Sequence, residues 1–135
     1  MDETLRRALM AHTNIAGTFT TDNDMCITAL DDGEAHGQLM AGSRHMNPLG
    51  IVHGGVYVTM MDQAAGTAAC TRGSLCRTIN CEVRFMASAG VGMLYSHARV
   101  VRWGRSIVVV HTRVETEDAT ICAEGTYTFR MKAGR

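Results

Sequence analysis

Residues 56–69, VYVTMMDQAAGTAA, contain no proline and carry apolar side chains on every side of a helical projection. Alanine and methionine favour the helix. A helix without a polar face does not lie on a domain surface; it is enclosed. In a chain of 135 residues, one such helix demands a sheet curved around it. Its interior holds a single acid, Asp62. The helical neighbours three and four residues away are Val58, Thr59, Ala65 and Gly66, so no lysine or arginine pairs with Asp62 along the helix. A buried carboxylate without a partner is costly, so a group outside the helix must hold it.

The run into this helix is Asn47-Pro48-Leu49-Gly50-Ile51-Val52-His53-Gly54-Gly55. Proline and glycine mark it as a turn. Upstream, residues 2–16 show a loose helical spacing through Leu5, Leu9 and Met10, and residues 17–24 read as loop. Residues 25–30 and 34–41 read as strands flanking Asp31-Asp32-Gly33, a strong hairpin turn. Residues 42–52 form the loop that delivers the chain to the helix. Beyond the helix the period becomes two. Residues 78–85 place Ile79, Cys81, Val83 and Phe85 on one face, with Asn80, Glu82 and Arg84 on the other. Strands over 93–103, 106–116 and 120–131 follow, separated by short turns that make antiparallel neighbours. The predicted architecture is α+β: a curved antiparallel sheet wrapped around one long central helix. Residues 1–24 form an N-terminal helix and loop, 25–131 the main body and 132–135 a frayed tail, in a single domain.

Thirteen basic and thirteen acidic residues give a formal net charge of zero, which argues against a nucleic-acid module. No apolar run approaches the roughly 20 residues that span a bilayer. The first residues, Met1-Asp2-Glu3-Thr4-Leu5-Arg6-Arg7, lack the apolar segment of a signal peptide, so a cytoplasmic location is expected. Five cysteines (Cys26, Cys70, Cys76, Cys81 and Cys122) form no CxxC pair. They read as reduced thiols, not a disulfide frame or a zinc site.

The pattern Asn47-x-x-Gly50-x-x-His53-Gly54-Gly55, with Asp62 nine residues past the histidine and a run of strands beyond, resembles the hot-dog-fold thioesterases. The likeness is greatest to the subfamily related to the phenylacetate-pathway thioesterase, and it covers residues 25–131. It implies a hot-dog fold and hydrolysis of an acyl-CoA thioester to free acid and coenzyme A. It implies no metal, and no cofactor beyond the coenzyme A of the substrate. Carried over, Asn47 positions the substrate or a water, and His53 steadies the loop and the thioester end. The Gly54 N–H is the main oxyanion donor, Gly55 lies against the substrate, and Asp62 is the nucleophile or general base. The subfamily places Ser or Thr at the start of the strand after the helix, matched here by Thr78.

The chemistry also follows from the residues. A helix N-terminus offers unpaired N–H groups and partial positive charge, and glycines let a carbonyl approach them. Such donors stabilise the charge that grows on oxygen in acyl transfer, while a carboxylate activates water or attacks directly. With the helix starting near Gly54, Asp62 lies about 12 Å along it at 1.5 Å per residue. One carbonyl cannot touch both. The simplest solution is a homodimer with antiparallel central helices, so that Asp62 of one protomer faces Gly54 of its partner; pairing of dimers into tetramers stays open. Arg84, Arg102 and Arg105 suit the phosphates of coenzyme A.

Each residue also has a plainer reading. His53 braces a loop, the glycines pack closely, Asn47 turns the chain before Pro48, Thr78 fills a strand, and the arginines are solvated. His12, His36, His45, His97 and His111 show no metal spacing. Two other functions stay open: a hydratase or dehydratase on the same fold, and a non-catalytic acyl-CoA sensing module.

Overall fold

Each short turn after the central helix joins two antiparallel strands, and together they build one curved sheet. The computed structural model describes residues 1–132. In chain order the elements are α1 (Glu3–Thr13), α2 (Phe19–Asp22), β1 (Cys26–Asp31), β2 (Glu34–Ala41), α3 (Gly54–Ala69), β3 (Cys76–Phe85), β4 (Gly92–Trp103), β5 (Ile107–Thr116) and β6 (Ile121–Met131). The six strands lie in the order β1-β2-β4-β5-β6-β3, with every pairing antiparallel. This is the curved antiparallel sheet that the residues predict and the hot-dog arrangement that the resemblance implies. Although β3 follows the helix directly, it returns to the far edge of the sheet and pairs with β6 from Cys76↔Met131 to Phe85↔Ala123.

The concave face closes on α3. Tyr57, Met60, Met61, Ala64, Ala65 and Ala68 are buried with Leu39, Leu94, Val110, Val114 and Phe129. Burying each Leu- or Val-sized side chain is worth about 1.5–3 kcal/mol, so this face holds the helix down. The Tyr127 hydroxyl donates to the Val58 carbonyl at 2.8 Å. Burial pushes its ionisation above the usual phenol range, so it stays a neutral donor and fixes the turn before Asp62. The opposite side of α3 differs from the sequence expectation of full enclosure. Gly55 is exposed, and Thr59, Asp62, Gln63 and Gly66 are half-buried. These positions share one helix face, so a single chain leaves that face open.

The N-terminal segment borders that opening. Asp2 caps α1 by accepting the Thr4 N–H at 2.9 Å. At the other end Asn14 accepts the Ile27 N–H at 2.9 Å and donates to the Ile27 carbonyl at 3.0 Å. The side chain thus substitutes for a neighbouring strand along the free edge of β1. Thr13 and Thr67 hydroxyls meet at 2.8 Å and tie α1 to α3. Residues 17–24, expected as loop, contain the single-turn α2. The Thr21 hydroxyl accepts the Thr18 N–H at 3.2 Å, and the Thr18 hydroxyl donates to the Ile15 carbonyl at 2.7 Å. Threonine side chains supply hydrogen bonds that a composition reading assigns to a loop.

Strand β3 departs from strict alternation. Its register slips between Thr78 and Asn80, which makes Ile79 the extra residue of a bulge, 51% exposed. Ile79 therefore does not share the inner face with Cys81, Val83 and Phe85 as period two predicts. The bulge reverses parity upstream, so Thr78 turns toward the helix. At the tail, the Lys132 N–H donates to the Leu75 carbonyl at 2.8 Å and is held, not frayed. The rest of the predicted tail, 133–135, lies outside the described residues.

Candidate functional site

The turn into α3 is fixed by its own side chains. Asn47 Oδ1 accepts the Leu49 N–H at 2.9 Å and the Ile51 N–H at 3.4 Å. The Asn47 N–H donates to the Ile51 carbonyl at 2.7 Å, and the Gly50 N–H to the Asn47 carbonyl at 2.9 Å. Gly50 sits at φ +79, where an L side chain is strained. Asn47 therefore acts structurally through its oxygen, which leaves its NH2 outside the turn's bonds. Two backbone bonds then lock the exit: Val52 to Ala89 and His53 to His45, both 2.9 Å.

His53 is the N-cap of α3, at φ −63 and ψ 137. Its Nδ1 accepts the Gly55 N–H at 2.8 Å. An accepting Nδ1 carries no proton, so the neutral ring holds its hydrogen on Nε2. The Val56 N–H returns to the His53 carbonyl at 2.9 Å. Among the described residues this leaves the Gly54 N–H without a partner at the helix start. Of the two glycine donors that the sequence suggested, only Gly54 stays available. The Gly55 N–H is consumed by the cap, so Gly55 offers an exposed, side-chain-free surface and no donor. A side chain at Gly54 would meet the Phe85 ring at 3.2 Å, so the donor sits under an aromatic edge.

Asp62 is held by a neighbour in space, as its lonely place in the helix required. The Thr78 hydroxyl donates to Asp62 Oδ1 at 2.6 Å, delivered there by the β3 bulge. Both line a cavity of about 360 Å³, bounded also by Leu9 of α1, Gln63 and Gly66 of α3, and Phe129 of β6. The Gln63 Nε2 is buried without a hydrogen-bond partner. The carboxylate therefore has one oxygen engaged and a roomy, partly apolar chamber in front of it.

The structure brings Asp62 and Thr78 together and, separately, Asn47, His53 and Gly54. It does not bring the two groups together within one chain: the cavity at Asp62 has no lining from the glycine turn, and the helix rise separates them by about 12 Å. Nor are the three arginines gathered at either group. The Arg84 guanidinium is engaged by Glu124, its cross-strand partner in β6. It borders a groove of about 540 Å³ that contains none of the other candidates. Arg102 pairs across strands with Val109 after a register shift in β4, and Arg105 sits in the β4–β5 turn. Sequence reading missed the part played by α1 and Gln63, because nothing in periodicity says which residues a folded N-terminal segment will cover. It also missed Cys70 and Cys76, six residues apart in sequence, whose sulfurs meet at 3.4 Å in the cavity wall.

Comparison with known proteins bears on this arrangement. A family model described as the thioesterase superfamily matches residues 49–123, which include the turn from Leu49 onward, α3, Asp62 and Thr78, with Asn47 just outside the match. No curated protein matches the chain. Among solved structures, a conserved protein from Pseudomonas aeruginosa is 26% identical with a TM-score of 0.84, covering 90% of this chain and 98% of that one. The PaaI protein from the phenylacetic acid degradation operon of E. coli is 19% identical with a TM-score of 0.87, covering 96% and 97%. A Streptococcus mutans protein solved bound to acetyl CoA is 23% identical with a TM-score of 0.77, covering 80% and 88%.

Proposed function

Because the chain belongs to the thioesterase superfamily, we propose that it hydrolyses an acyl-CoA thioester to free acid and coenzyme A at a site shared by two protomers. The reading rests on one observation. The family match spans a helix whose first N–H, at Gly54, is left over by the His53 cap, and whose one carboxylate, Asp62, is clamped by Thr78 at 2.6 Å beside an open cavity. The acetyl CoA bound to the Streptococcus mutans relative supports a coenzyme A thioester as the ligand class.

In this mechanism the thioester oxygen accepts the Gly54 N–H of one protomer, strengthened by the positive end of the helix. Asp62 of the partner takes a proton from water through Oδ2, while Oδ1 keeps the Thr78 hydroxyl. The resulting hydroxide adds to the carbonyl carbon, the C–S bond breaks, and the proton passes to the departing thiolate. Asn47 and His53, with their NH2 and Nε2–H, face the thioester from the glycine side. The half-buried face of α3 and the exposed edge strand β3 lie side by side, the surfaces a second copy would cover.

The test is release of free thiol from short, medium, long and aromatic acyl-CoAs by the native chain and by Asp62→Ala. Turnover that falls at least a hundredfold in the variant supports the reading, and equal turnover removes Asp62 from it. Change in enoyl absorbance without thiol release would mean a hydratase. Tight binding without turnover would mean a sensor.

A further inference from the structure

The geometry points to Cys70 and Cys76 as a reversible redox site: a dithiol in the wall of the Asp62 cavity that a small disulfide converts to a protein disulfide. Cys70 is the C-cap of α3, its N–H bonded to the Gly66 and Thr67 carbonyls. Cys76 opens β3 and is paired with Met131. Both anchors are regular structure, and they set the sulfurs 3.4 Å apart. A disulfide needs about 2.05 Å, so closure takes a little over 1 Å. The intervening residues 71–75 turn at Gly73, φ +97, with nothing within 4 Å of a side chain there. That loop can absorb the movement.

The pair is reachable. Both sulfurs' residues line the cavity of about 360 Å³, and Cys70 also borders one of about 260 Å³ beneath α1. The other three cysteines form no pair: Cys26 and Cys81 are exposed and Cys122 is buried. The two thiols are also unequal. The Cys76 hydrogen bond holds Cys70 below the usual thiol range against the effect of burial. Cys76 is pushed well above that range by the same bond, by burial and by the charges of Cys70 and Asp62. Cys70, which borders both cavities where Cys76 borders one, is thus the attacking thiolate and Cys76 the resolving thiol.

The chemistry balances. The Cys70 thiolate attacks a disulfide X–S–S–X, forming Cys70–S–S–X and releasing X–S⁻. Cys76 gives up its proton to that thiolate, and its sulfur displaces the second X–S⁻ from Cys70. The protein loses two electrons and the disulfide becomes two thiols. Because Cys76 lies two residues before Thr78, drawing it toward Cys70 displaces the hydroxyl that holds Asp62.

The thiol chemistry stands without the hydrolase reading; only its effect on turnover rests on that reading. The experiment treats the full chain with hydroxyethyl disulfide, alkylates residual thiols and digests with trypsin. Cleavage after Arg72 separates the two cysteines, so a bond between them joins two peptides at a mass 2 Da below their reduced sum. Expected is that linked pair, lost on dithiothreitol treatment. In Cys76→Ser a hydroxyethyl adduct persists on Cys70; in Cys70→Ser neither an adduct on Cys76 nor a linkage forms. Adducts confined to Cys26 and Cys81 in the native chain overturn the proposal without recourse to variants. Thiol release from acyl-CoA should fall at least tenfold in the linked form and recover on reduction. Linkage with unchanged turnover overturns the coupling through Thr78. Linkage in a chain that releases no thiol in either state sinks the hydrolase reading and leaves the redox site standing.

Discussion

If the leftover N–H and the clamped carboxylate act on one carbonyl from two chains, two inactive variants should rescue each other. The first variant is Gly54→Pro, which deletes the N–H. Proline is well tolerated at the first helical position, and His53 already sits at φ −63 and ψ 137, the conformation a residue before proline prefers. The Phe85 ring, 59% exposed, can turn away from the added ring. The second variant is Asp62→Asn. Loss of one oxyanion donor is worth roughly 10²–10³ in rate, so each variant alone should be nearly silent. In a one-to-one mixture with free exchange, half of the dimers are mixed. Each mixed dimer has one site with both groups lost and one with both intact. Activity should therefore recover to about a quarter of the native value, against under a hundredth for either parent, given the donor's rate contribution. Free-thiol release measures it, and native mass spectrometry confirms that subunits have exchanged. Mixed dimers that remain as silent as the parents would refute a shared site.

Thr78→Val keeps shape and deletes the hydroxyl on Asp62. A charge-assisted bond on an exposed pair is worth about 1.4 kcal/mol, or tenfold in kcat, with an unchanged circular dichroism spectrum. His53→Ala strands the Gly55 N–H and should lower stability by about 1 kcal/mol, read as a lower urea midpoint together with reduced kcat. Gly66→Ala places a methyl 3.5 Å from the Phe129 ring, an ordinary contact. It should raise stability by up to about 1 kcal/mol through helix propensity, while raising KM for bulkier acyl groups as the cavity narrows. His97 donates from Nε2 to Glu115 at 2.9 Å and meets His36 Nδ1 to Nδ1 at 2.8 Å, so the neutral pair requires the proton on His36. Burial first, then Arg113, holds His97 below its usual range, against the opposing pull of Glu115. The unfolded chain then binds the proton first. Stability is full above about pH 6.5 and lost as pH falls through the folded value. Urea midpoints at pH 7.5 and 5.5 should therefore differ more for the native chain than for His97→Gln.

What the sequence made legible was whatever local pattern controls. An all-round apolar helix and the even turns after it were enough for the fold, since period two and short connections leave few alternatives to a wrapped antiparallel sheet. The turn at Asn47–Gly55 was legible because proline and glycine set backbone angles directly. The bulge in β3 was not. Its residues alternate as well as any strand's, and read that way Thr78 would face outward with Asn80, leaving Asp62 without the partner its position demanded. Only the resemblance put Thr78 in the site. One extra residue at Ile79 changes the parity of everything upstream in the strand, and it does so for Cys76 as well as Thr78. The same irregularity that gives the carboxylate its hydroxyl therefore also turns a thiol toward the end of α3, where Cys70 waits at 3.4 Å. The carboxylate clamp and the thiol pair are thus coupled by construction. Because Ile79 is the extra residue, deleting it should spare both together: Thr78 then adjoins Asn80 in plain alternation and keeps its place opposite Phe129, so Asp62 keeps Thr78 and the linked peptide pair still forms. A deletion variant that keeps its fold and loses either would show that something besides strand parity places them.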